Sequence, residues 1–193
     1  GRGIKVVLKE KELKNSFLLA KKEAELSFGS NQVYIEKYLS NPRHIEIQVL
    51  CDNQGNAVHL GERECSIQRR NQKIIEECPS PAISDNERKR ICEITIKAMK
   101  KIGYFNIGTV EYLYSDGNFF FMEMNTRLQV EHTVTEEVYD IDIVKEQINI
   151  SSGKKISFKQ DEIKKKGHSI ECRINAENPI TQLPSTGLIK TYH

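Results

Sequence analysis

The sequence lacks the features that mark membrane or secreted proteins. No apolar run approaches the roughly 18 residues that span a bilayer, so no membrane association is predicted. The chain starts Gly1-Arg2-Gly3 without an initiator methionine, and no targeting segment follows. We therefore expect the sequence to begin inside a longer protein.

Charge and cysteine usage exclude further classes. A formal net charge of +2 is too small to indicate nucleic acid or an anionic membrane as the main partner. The cysteines are odd in number and form no C-x-x-C pair, which argues against a disulfide framework and against a zinc site. They are Cys51, Cys65, Cys78, Cys92 and Cys172. Free thiols in a reducing compartment are the expectation.

Arginine is also scarce, and its positions are informative. Only nine of the 29 basic residues are arginine, so lysine serves wherever a generic positive charge suffices. Only arginine offers a planar fork for two-point contact with carboxylate or phosphate. Five arginines fall within the motif segments described below, namely Arg63, Arg69, Arg70, Arg127 and Arg173. These arginines are therefore more informative than the lysines.

Apolar periodicity predicts helices and strands in mixed order. Helices are predicted over 9–28, over 142–150, and from a capping box at Ser84 to a C-terminal cap at Gly103. Strands are predicted over 33–39, 44–51, 57–63, 108–114, 119–125 and 168–175. The polar stretch 64–81 is predicted to be irregular, and 154–166 to be a charged connection. Antiparallel hairpins separated from helices indicate an α+β fold.

The most informative stretch runs from Glu123 to His132. In an extended chain, alternate residues share a face. One face would then carry Glu123, Asn125, Arg127, Gln129 and Glu131. By periodicity alone this pattern is equally typical of a half-buried strand that shows a polar face to water.

A pair of carboxylates gives the stretch a possible metal site. A three-residue hairpin loop at 116–118 would place Glu111 directly opposite Glu123, and two facing carboxylates repel unless a cation lies between them. With Asn125 this is an all-oxygen set suited to Mg²⁺ or Mn²⁺. A two-residue loop would put the carboxylates on opposite faces, so the register decides between the alternatives.

The motifs together resemble biotin carboxylases of the ATP-grasp family, over essentially the whole chain. The run Glu123-Met124-Asn125-Thr126-Arg127 is the ATP-grasp core, and the following Gln129-Val130-Glu131-His132 is specific to biotin carboxylase. Four other segments agree with this resemblance: Glu36-Lys37-Tyr38-Leu39, Asn41-Pro42-Arg43-His44-Ile45-Glu46, Gly61-Glu62-Arg63-Glu64-Cys65-Ser66-Ile67-Gln68-Arg69-Arg70, and Gly167-His168-Ser169-Ile170-Glu171-Cys172-Arg173-Ile174-Asn175-Ala176-Glu177. Most similar is the bacterial and plastid acetyl-CoA carboxylase component.

The resemblance implies an ATP site and a two-ion Mg²⁺ or Mn²⁺ site. The metal ligands it implies are Glu111, Glu123 and Asn125. Its ATP-binding positions are Gly1, Gly3, Glu36, Lys37, Leu39, His44, Gln68, Asn71, Glu111 and Glu123. It also implies an ATP-grasp fold with antiparallel sheets flanked by helices. Residues 1–39 would be part of the lid subdomain, and 40–193 the central core and the start of the C-terminal lobe.

The resemblance also implies the catalytic residues and the bicarbonate and biotin pocket. Glu131 would be the base that deprotonates bicarbonate, and Lys73, Arg127 and Arg173 would bind the reacting anions. Gln129 and Val130 would complete the pocket. Two positions depart from the usual pattern: Asn71 stands where many bacterial members have histidine, and Thr133 where the family usually has proline.

Function and partners follow from the same resemblance. ATP would activate bicarbonate as carboxyphosphate, and biotin on a carboxyl carrier would accept the carboxyl group before a carboxyltransferase uses it. A homodimer in the cytoplasm or the plastid stroma is expected for the full-length protein. The N-terminal domain and the end of the C-terminal lobe would lie outside this sequence, so the isolated piece is expected to be inactive. The alternatives are the same domain of a pyruvate or propionyl-CoA carboxylase, and a non-catalytic nucleotide-binding module.

Overall fold

A computed structural model describes residues 3–189 and 191 of the chain. The chain divides into two compact units, Gly1–Pro42 and Arg43–His193, and each is described by itself. No helix of the described residues is both long enough and apolar enough to cross a bilayer.

The first unit contains one helix, α1 (Glu10–Phe28), as the sequence predicts. It ends at Gly29, whose φ of 68° is the left-handed conformation that glycine adopts without strain. The strand predicted over 33–39 is wrong, because these residues form no regular structure. A strand needs a neighbour to accept and donate its backbone hydrogen bonds, and the described part of this unit contains no second strand.

The second unit is built on an antiparallel sheet, which confirms the α+β prediction. Its strands are β1 (Arg43–Cys51), β2 (Ala57–Arg69), β3 (Gln72–Cys78), β4 (Asn106–Ser115), β5 (Asn118–Asn125) and β6 (Ser169–Cys172). They lie in the order β5-β4-β1-β2-β3-β6. The helices are α2 (Asp85–Ile102), α3 (His132–Tyr139) and α4 (Ile143–Ser151). Strand β6 covers only four residues of the predicted 168–175.

The prediction of an irregular segment over 64–81 is wrong. Strand β2 continues to Arg69, and β3 returns beside it after a two-residue turn. Both turn residues, Arg70 and Asn71, have positive φ (52° and 62°), as a type I′ hairpin requires, and asparagine tolerates that conformation well. The polar composition misleads because this part of the sheet buries charged side chains on both faces: Glu62, Arg63 and Glu64 are all buried.

One face of the sheet packs against α2. The predicted capping box is present, with Ser84 and Glu87 bonded reciprocally, and Gly103 closes the helix with a φ of 65°. The core between sheet and helix consists of Ile47, Val49, Cys51, Ile91, Cys92, Met99, Val110 and Tyr112. Burying each large aliphatic side chain contributes roughly 1.5–3 kcal/mol.

The opposite face packs against α3 and α4 over part of its area. This second core includes Leu50, Leu60, Ile107, Val134, Val138, Ile143 and Ile150. Helix α3 was not predicted, because it is short and rich in β-branched residues, which favour strands. Elsewhere on this face the side chains of β1 are polar: His44, Glu46 and Gln48 alternate with the apolar residues that face α2. The polar part of the face carries the candidate site.

Candidate active site

A row of charged residues crosses four adjacent strands at one level. Glu123 pairs with Glu111, Glu111 pairs with Glu46, and Glu46 pairs with Arg63. Residues paired directly across antiparallel strands point to the same face, so three carboxylates stand side by side there. Adjacent like charges destabilise a sheet, and cations must therefore compensate them.

Lys73 supplies the central cation. Its ammonium nitrogen lies 2.5 Å from Glu46 Oε2, 3.0 Å from Glu111 Oε1 and 2.6 Å from Glu131 Oε1. Burial alone would lower the pKa of Lys73, but the charges of the surrounding carboxylates, Glu46 foremost, outweigh it and raise that pKa. Lys73 is therefore held as a permanent cation between three carboxylates that come from separate parts of the chain.

Arg63 is the second cation and is completely buried. Its Nε lies 2.5 Å from Glu46 Oε1, and its Nη1 donates to Gln48 Oε1 and to the Thr135 hydroxyl at 2.7 and 2.9 Å. Its Nη2 donates to the Thr109 hydroxyl at 3.2 Å and, more weakly, to Gln129 Oε1 at 3.4 Å. The guanidinium thus ties four elements of the structure to the loop that precedes α3.

Glu131 accepts contacts from two cations. Besides Lys73, it receives Arg173, whose Nη2 lies 2.8 Å from Glu131 Oε2. Burial raises the pKa of Glu131, but the charge and the hydrogen bond of Lys73 more than offset this, so the pKa is lower than usual. Arg173 also contacts Glu76 Oε1 through Nε at 2.6 Å. Glu131 is therefore ionised in this arrangement and lies between two cations.

Glu111 is surrounded by donors. Its Oε1 accepts from the amides of Asn125 and Gln129 at 2.9 and 2.8 Å, and its Oε2 lies 2.8 Å from His44 Nε2. Burial raises the pKa of Glu111, but His44 and the charge of Lys73 overcome that effect and lower the pKa to about 2.

His44 is oriented by a further amide. The side-chain nitrogen of Gln68 lies 3.1 Å from His44 Nδ1 and donates to the Cys65 carbonyl at 2.8 Å. Because an amide nitrogen only donates, Nδ1 accepts this bond and the imidazole proton lies on Nε2, which faces Glu111. The sequence predicts both His44 and Gln68 as nucleotide contacts, and the structure places them beside the predicted metal ligand.

The register of the β4–β5 hairpin confirms that Glu111 and Glu123 face each other, although for a different reason from the predicted one. The loop has two residues, because Ser115 pairs with Asn118. A bulge next to Tyr112 adds one unpaired residue, Met122, and restores the register. The carboxylates therefore share a face.

The predicted ligand set fits a divalent metal in donor chemistry. Glu111, Glu123 and Asn125 offer oxygen atoms on one face, and Asn125 directs its amide nitrogen towards Glu111. The side chain of Glu123 is exposed and makes no hydrogen bond within the described residues, so its carboxylate oxygens are available to an ion carried in with a nucleotide.

Comparison with known proteins agrees with this chemistry. The profile described as "Carbamoyl-phosphate synthase L chain, ATP binding domain" matches residues 1–159. The chain belongs to this ATP-binding family. Within the family, it is 54% identical over its whole length to a biotin carboxylase of Allochromatium vinosum, and 52% identical to a pyruvate carboxylase subunit of Methanothermobacter thermautotrophicus. It spans 43% and 39% of those proteins, less than half of either.

A solved structure agrees in fold as well. The biotin carboxylase domain dimer of the Hydrogenobacter thermophilus 2-oxoglutarate carboxylase, in complex with MgADP, ADP and bicarbonate, is 48% identical. It superposes with a TM-score of 0.88 over 95% of this chain and 41% of its own. The resemblance to ATP-grasp biotin carboxylases is thereby confirmed, as is the ATP-grasp fold.

Several predicted site residues of the second unit lie apart from the cluster. The extended alternation expected over 123–131 stops at Asn125, where β5 ends. Arg127 is exposed and bonds the Leu128 carbonyl, and Val130 is exposed too. Asn71 is exposed in the β2–β3 turn. The remaining nucleotide positions, Gly3, Glu36, Lys37 and Leu39, belong to the first unit, and Gly1 lies outside the described residues.

Three charged residues of the cluster were missed at the sequence level as site residues. Glu46 and Arg63 form the centre of the row, and Glu76 holds Arg173. The signal for Glu46 was its position between His44 and Gln48 on the polar side of a strand whose other side is apolar. Arg63 carried the signal of a rare arginine within a motif. No sequence signal marked Glu76, because the strand that contains it has the composition of a loop.

Proposed function

We propose that this chain carries the bicarbonate- and biotin-handling site of an ATP-dependent biotin carboxylase, working as the first half-reaction of an acetyl-CoA carboxylase. The observation that supports it best is the position of Lys73. Its ammonium joins Glu111, the proposed metal ligand, to Glu131, the proposed base, at 3.0 and 2.6 Å. A cation there can bind both the bicarbonate and the phosphoryl group between which a bond must form.

In the proposed reaction, Glu131 takes the proton from bicarbonate, and the resulting oxyanion attacks the γ-phosphorus of ATP. The bond between that phosphorus and ADP breaks, so carboxyphosphate and ADP result. Glu131 is a weak base while Lys73 and Arg173 hold it. We infer that both cations shift towards the incoming anions, which raises the pKa of Glu131 as bicarbonate binds.

Glu111, Glu123 and Asn125 would hold two Mg²⁺ or Mn²⁺ ions. When bound, the ions neutralise charge on the ATP phosphates. Arg127 and Arg173 would contact carboxyphosphate and the biotin enolate, with Gln129 and Val130 beside them. The exposed position of Arg127 leaves its planar fork available for such a ligand.

The assignment extends to partners that the chemistry requires. A biotin carboxyl carrier would deliver the biotin and a carboxyltransferase would use the product, in a reducing cytoplasm or plastid stroma. We propose a homodimer for the full-length protein, as the Hydrogenobacter domain is a dimer. The similarity to a pyruvate carboxylase component favours a second candidate, in which the same half-reaction serves pyruvate.

The experiment uses the complete gene product with ATP, bicarbonate and free biotin, and measures ADP release and carboxybiotin side by side. Wild type should form carboxybiotin. Glu131→Gln should reduce both activities by on the order of 10²–10⁴, because a positioned base is lost. Arg127→Lys keeps one charge but loses the fork, so it should reduce carboxybiotin more than ADP release.

Melting curves separate these roles from a structural one. Arg127 makes a single side-chain hydrogen bond within the described part of the chain, so Arg127→Lys should melt as wild type does. If Glu131→Gln and Arg127→Lys lose the two activities in parallel, and both melt at lower temperature, the two residues only support the loop. No carboxybiotin from the wild type would refute the proposed function itself.

A further inference from the structure

Glu76 is a buried carboxylate next to the proposed site. It lies on β3 and is completely inaccessible to solvent. Its Oε1 lies 2.6 Å from both Nε and Nη2 of Arg173. Its Oε2 is buried and makes no hydrogen bond within the described residues. Among the described residues, Arg173, a candidate catalytic arginine, is the only cation that contacts Glu76, so the buried carboxylate holds that arginine strongly.

The position of Arg173 depends on this contact. Arg173 lies one residue beyond the end of β6, where a single backbone bond to the Ile74 carbonyl, at 3.0 Å, continues the ladder. Its side chain is partly exposed, so packing alone does not hold the guanidinium. Burial raises the pKa of Glu76 and the guanidinium of Arg173 opposes that rise, as expected for a mutual attraction.

Glu76 and Glu131 both contact Arg173, but through different nitrogen atoms. Glu76 engages Nε and Nη2, whereas Glu131 receives Nη2 alone. A guanidinium that no other group restrains frequently pairs with a carboxylate through two parallel hydrogen bonds. Such a two-point pair with Glu131 would withdraw Arg173 from ligands and would weaken the base.

We propose that Glu76 is a positioning residue that keeps the Nε–Nη2 edge of Arg173 from forming a two-point pair with Glu131. With that edge held by Glu76, Glu131 receives Nη2 alone, and Nη1 remains for an anionic ligand. The proposal rests on the proposed function, in which Glu131 is the base and Arg173 binds carboxyphosphate and the biotin enolate.

The test compares two buried glutamates in the complete gene product. Glu76→Gln keeps the shape and removes the charge. Glu62→Gln is the matched control, because Glu62 is equally buried, pairs with Arg88 at 2.6 Å and also has a buried Oε2 without a bond, but lies on the α2 face. Glu76→Gln should lower both ADP release and carboxybiotin formation by on the order of tenfold or more. Glu62→Gln should leave both within about twofold of wild type. Equal activities for the two variants would overturn the proposal.

A double variant separates positioning from general support. If Glu76 acts through Arg173, Glu76→Gln should cause no further loss of activity in an Arg173→Gln background. It should also restore part of the stability that Arg173→Gln loses, since that variant leaves Glu76 buried without a cation. If the activity loss of the double variant equals the product of the losses of the two single variants, the proposal is contradicted.

A crystal structure of Glu76→Gln gives a result that does not depend on activity. We expect Arg173 to turn towards Glu131 and to place two of its nitrogens within 3.2 Å or so of that carboxylate. Arg173 remaining with Nε on residue 76 would overturn the inference. If the wild type fails to carboxylate biotin, the proposed function is refuted, and the crystal structure still decides whether Glu76 sets the position of Arg173.

Discussion

The two faces of the sheet both bury carboxylates, but they neutralise them in different ways. On the α2 face, Glu62 and Glu64 are linked through Ser80, whose backbone N–H donates to Glu62 at 3.0 Å and whose hydroxyl donates to Glu64 at 2.6 Å. Arg88 completes that network. On the other face, Lys73 alone contacts three carboxylates, and Arg173 contacts two.

The difference shows which network a ligand can rearrange. Glu62 is held by the backbone N–H of Ser80, which the fold fixes in place, and by Arg88, which also donates to the backbone carbonyls of Ser80 and Ile83. Lys73 and Arg173 are shared among carboxylates and keep some exposure, so an anionic ligand can take over one of their contacts without leaving a cation unpaired. Closed networks stabilise a fold, whereas shared cations suit a binding site.

The largest effect we expect is from removing the shared cation. Lys73→Met leaves three buried carboxylates with fewer partners, and such uncompensated charge costs about 3–5 kcal/mol of unfolding free energy. Arg88→Met should cost less, about 1–3 kcal/mol, because Glu62 keeps the hydrogen bond from the backbone N–H of Ser80. Denaturant unfolding at neutral pH measures both. Equal losses would show that the two networks do not differ in kind.

A second prediction concerns the packing of α3 on the site-bearing face. A Cβ at Gly61 would lie 1.9 Å from the Tyr139 hydroxyl, and Gly61 has a φ of +60°. Gly61→Ala should therefore cost about 1–3 kcal/mol from overpacking, in addition to backbone strain. Gly55→Ala is the matched control, since its φ is also positive (84°) but a Cβ there meets nothing within 4 Å. Similar melting points for the two variants would disprove the clash.

The smallest effect belongs to the exposed start of α2. The hydrogen bond from Ser84, and then that from Tyr114, lower the pKa of Glu87 to about 2. A carboxylate with a lowered folded pKa stabilises the protein above its unfolded value, roughly 4.3, and loses that contribution as pH falls towards the folded value.

Glu87→Gln should therefore melt below wild type at neutral pH. The difference between the two should shrink as the pH falls from about 5 towards 2. Glu137→Gln, which removes one exposed carboxylate from α3, controls for the loss of charge. A difference between Glu87→Gln and wild type that stays constant across this range would exclude the capping bonds as its cause.

Much of the fold was predictable because its signals are local. Helix α2 carries its own capping box and glycine stop, and β1 alternates cleanly between polar and apolar residues. The predictions that failed depend on contacts between segments that are distant in the sequence. The sequence of β3 has the composition of a polar loop, and only the cations of distant segments make its burial tolerable. The stretch 33–39 has strand-like composition, but the described part of its unit contains no second strand that could pair with it.

The site was predictable in composition more than in arrangement. Lys73, Glu111, Gln129, Glu131 and Arg173 lie together as expected, whereas Arg127 and Val130 do not join them. Alternation had placed all of 123–131 on one strand, but β5 ends early and Gln129 and Glu131 come back through a loop. The departure at Thr133 has a local explanation: it lies in the first turn of α3, where proline is also tolerated, and its hydroxyl bonds Glu171.

The bulge at Met122 makes chain length, not only residue identity, a condition for the site. Strand faces alternate with every residue, so at this chain length a two-residue tip without a bulge would turn one carboxylate to the far side of the sheet. A three-residue tip without a bulge would place the two carboxylates opposite each other at the same length. The hairpin can thus replace its bulge by a longer tip, provided that the eleven residues between Glu111 and Glu123 are kept.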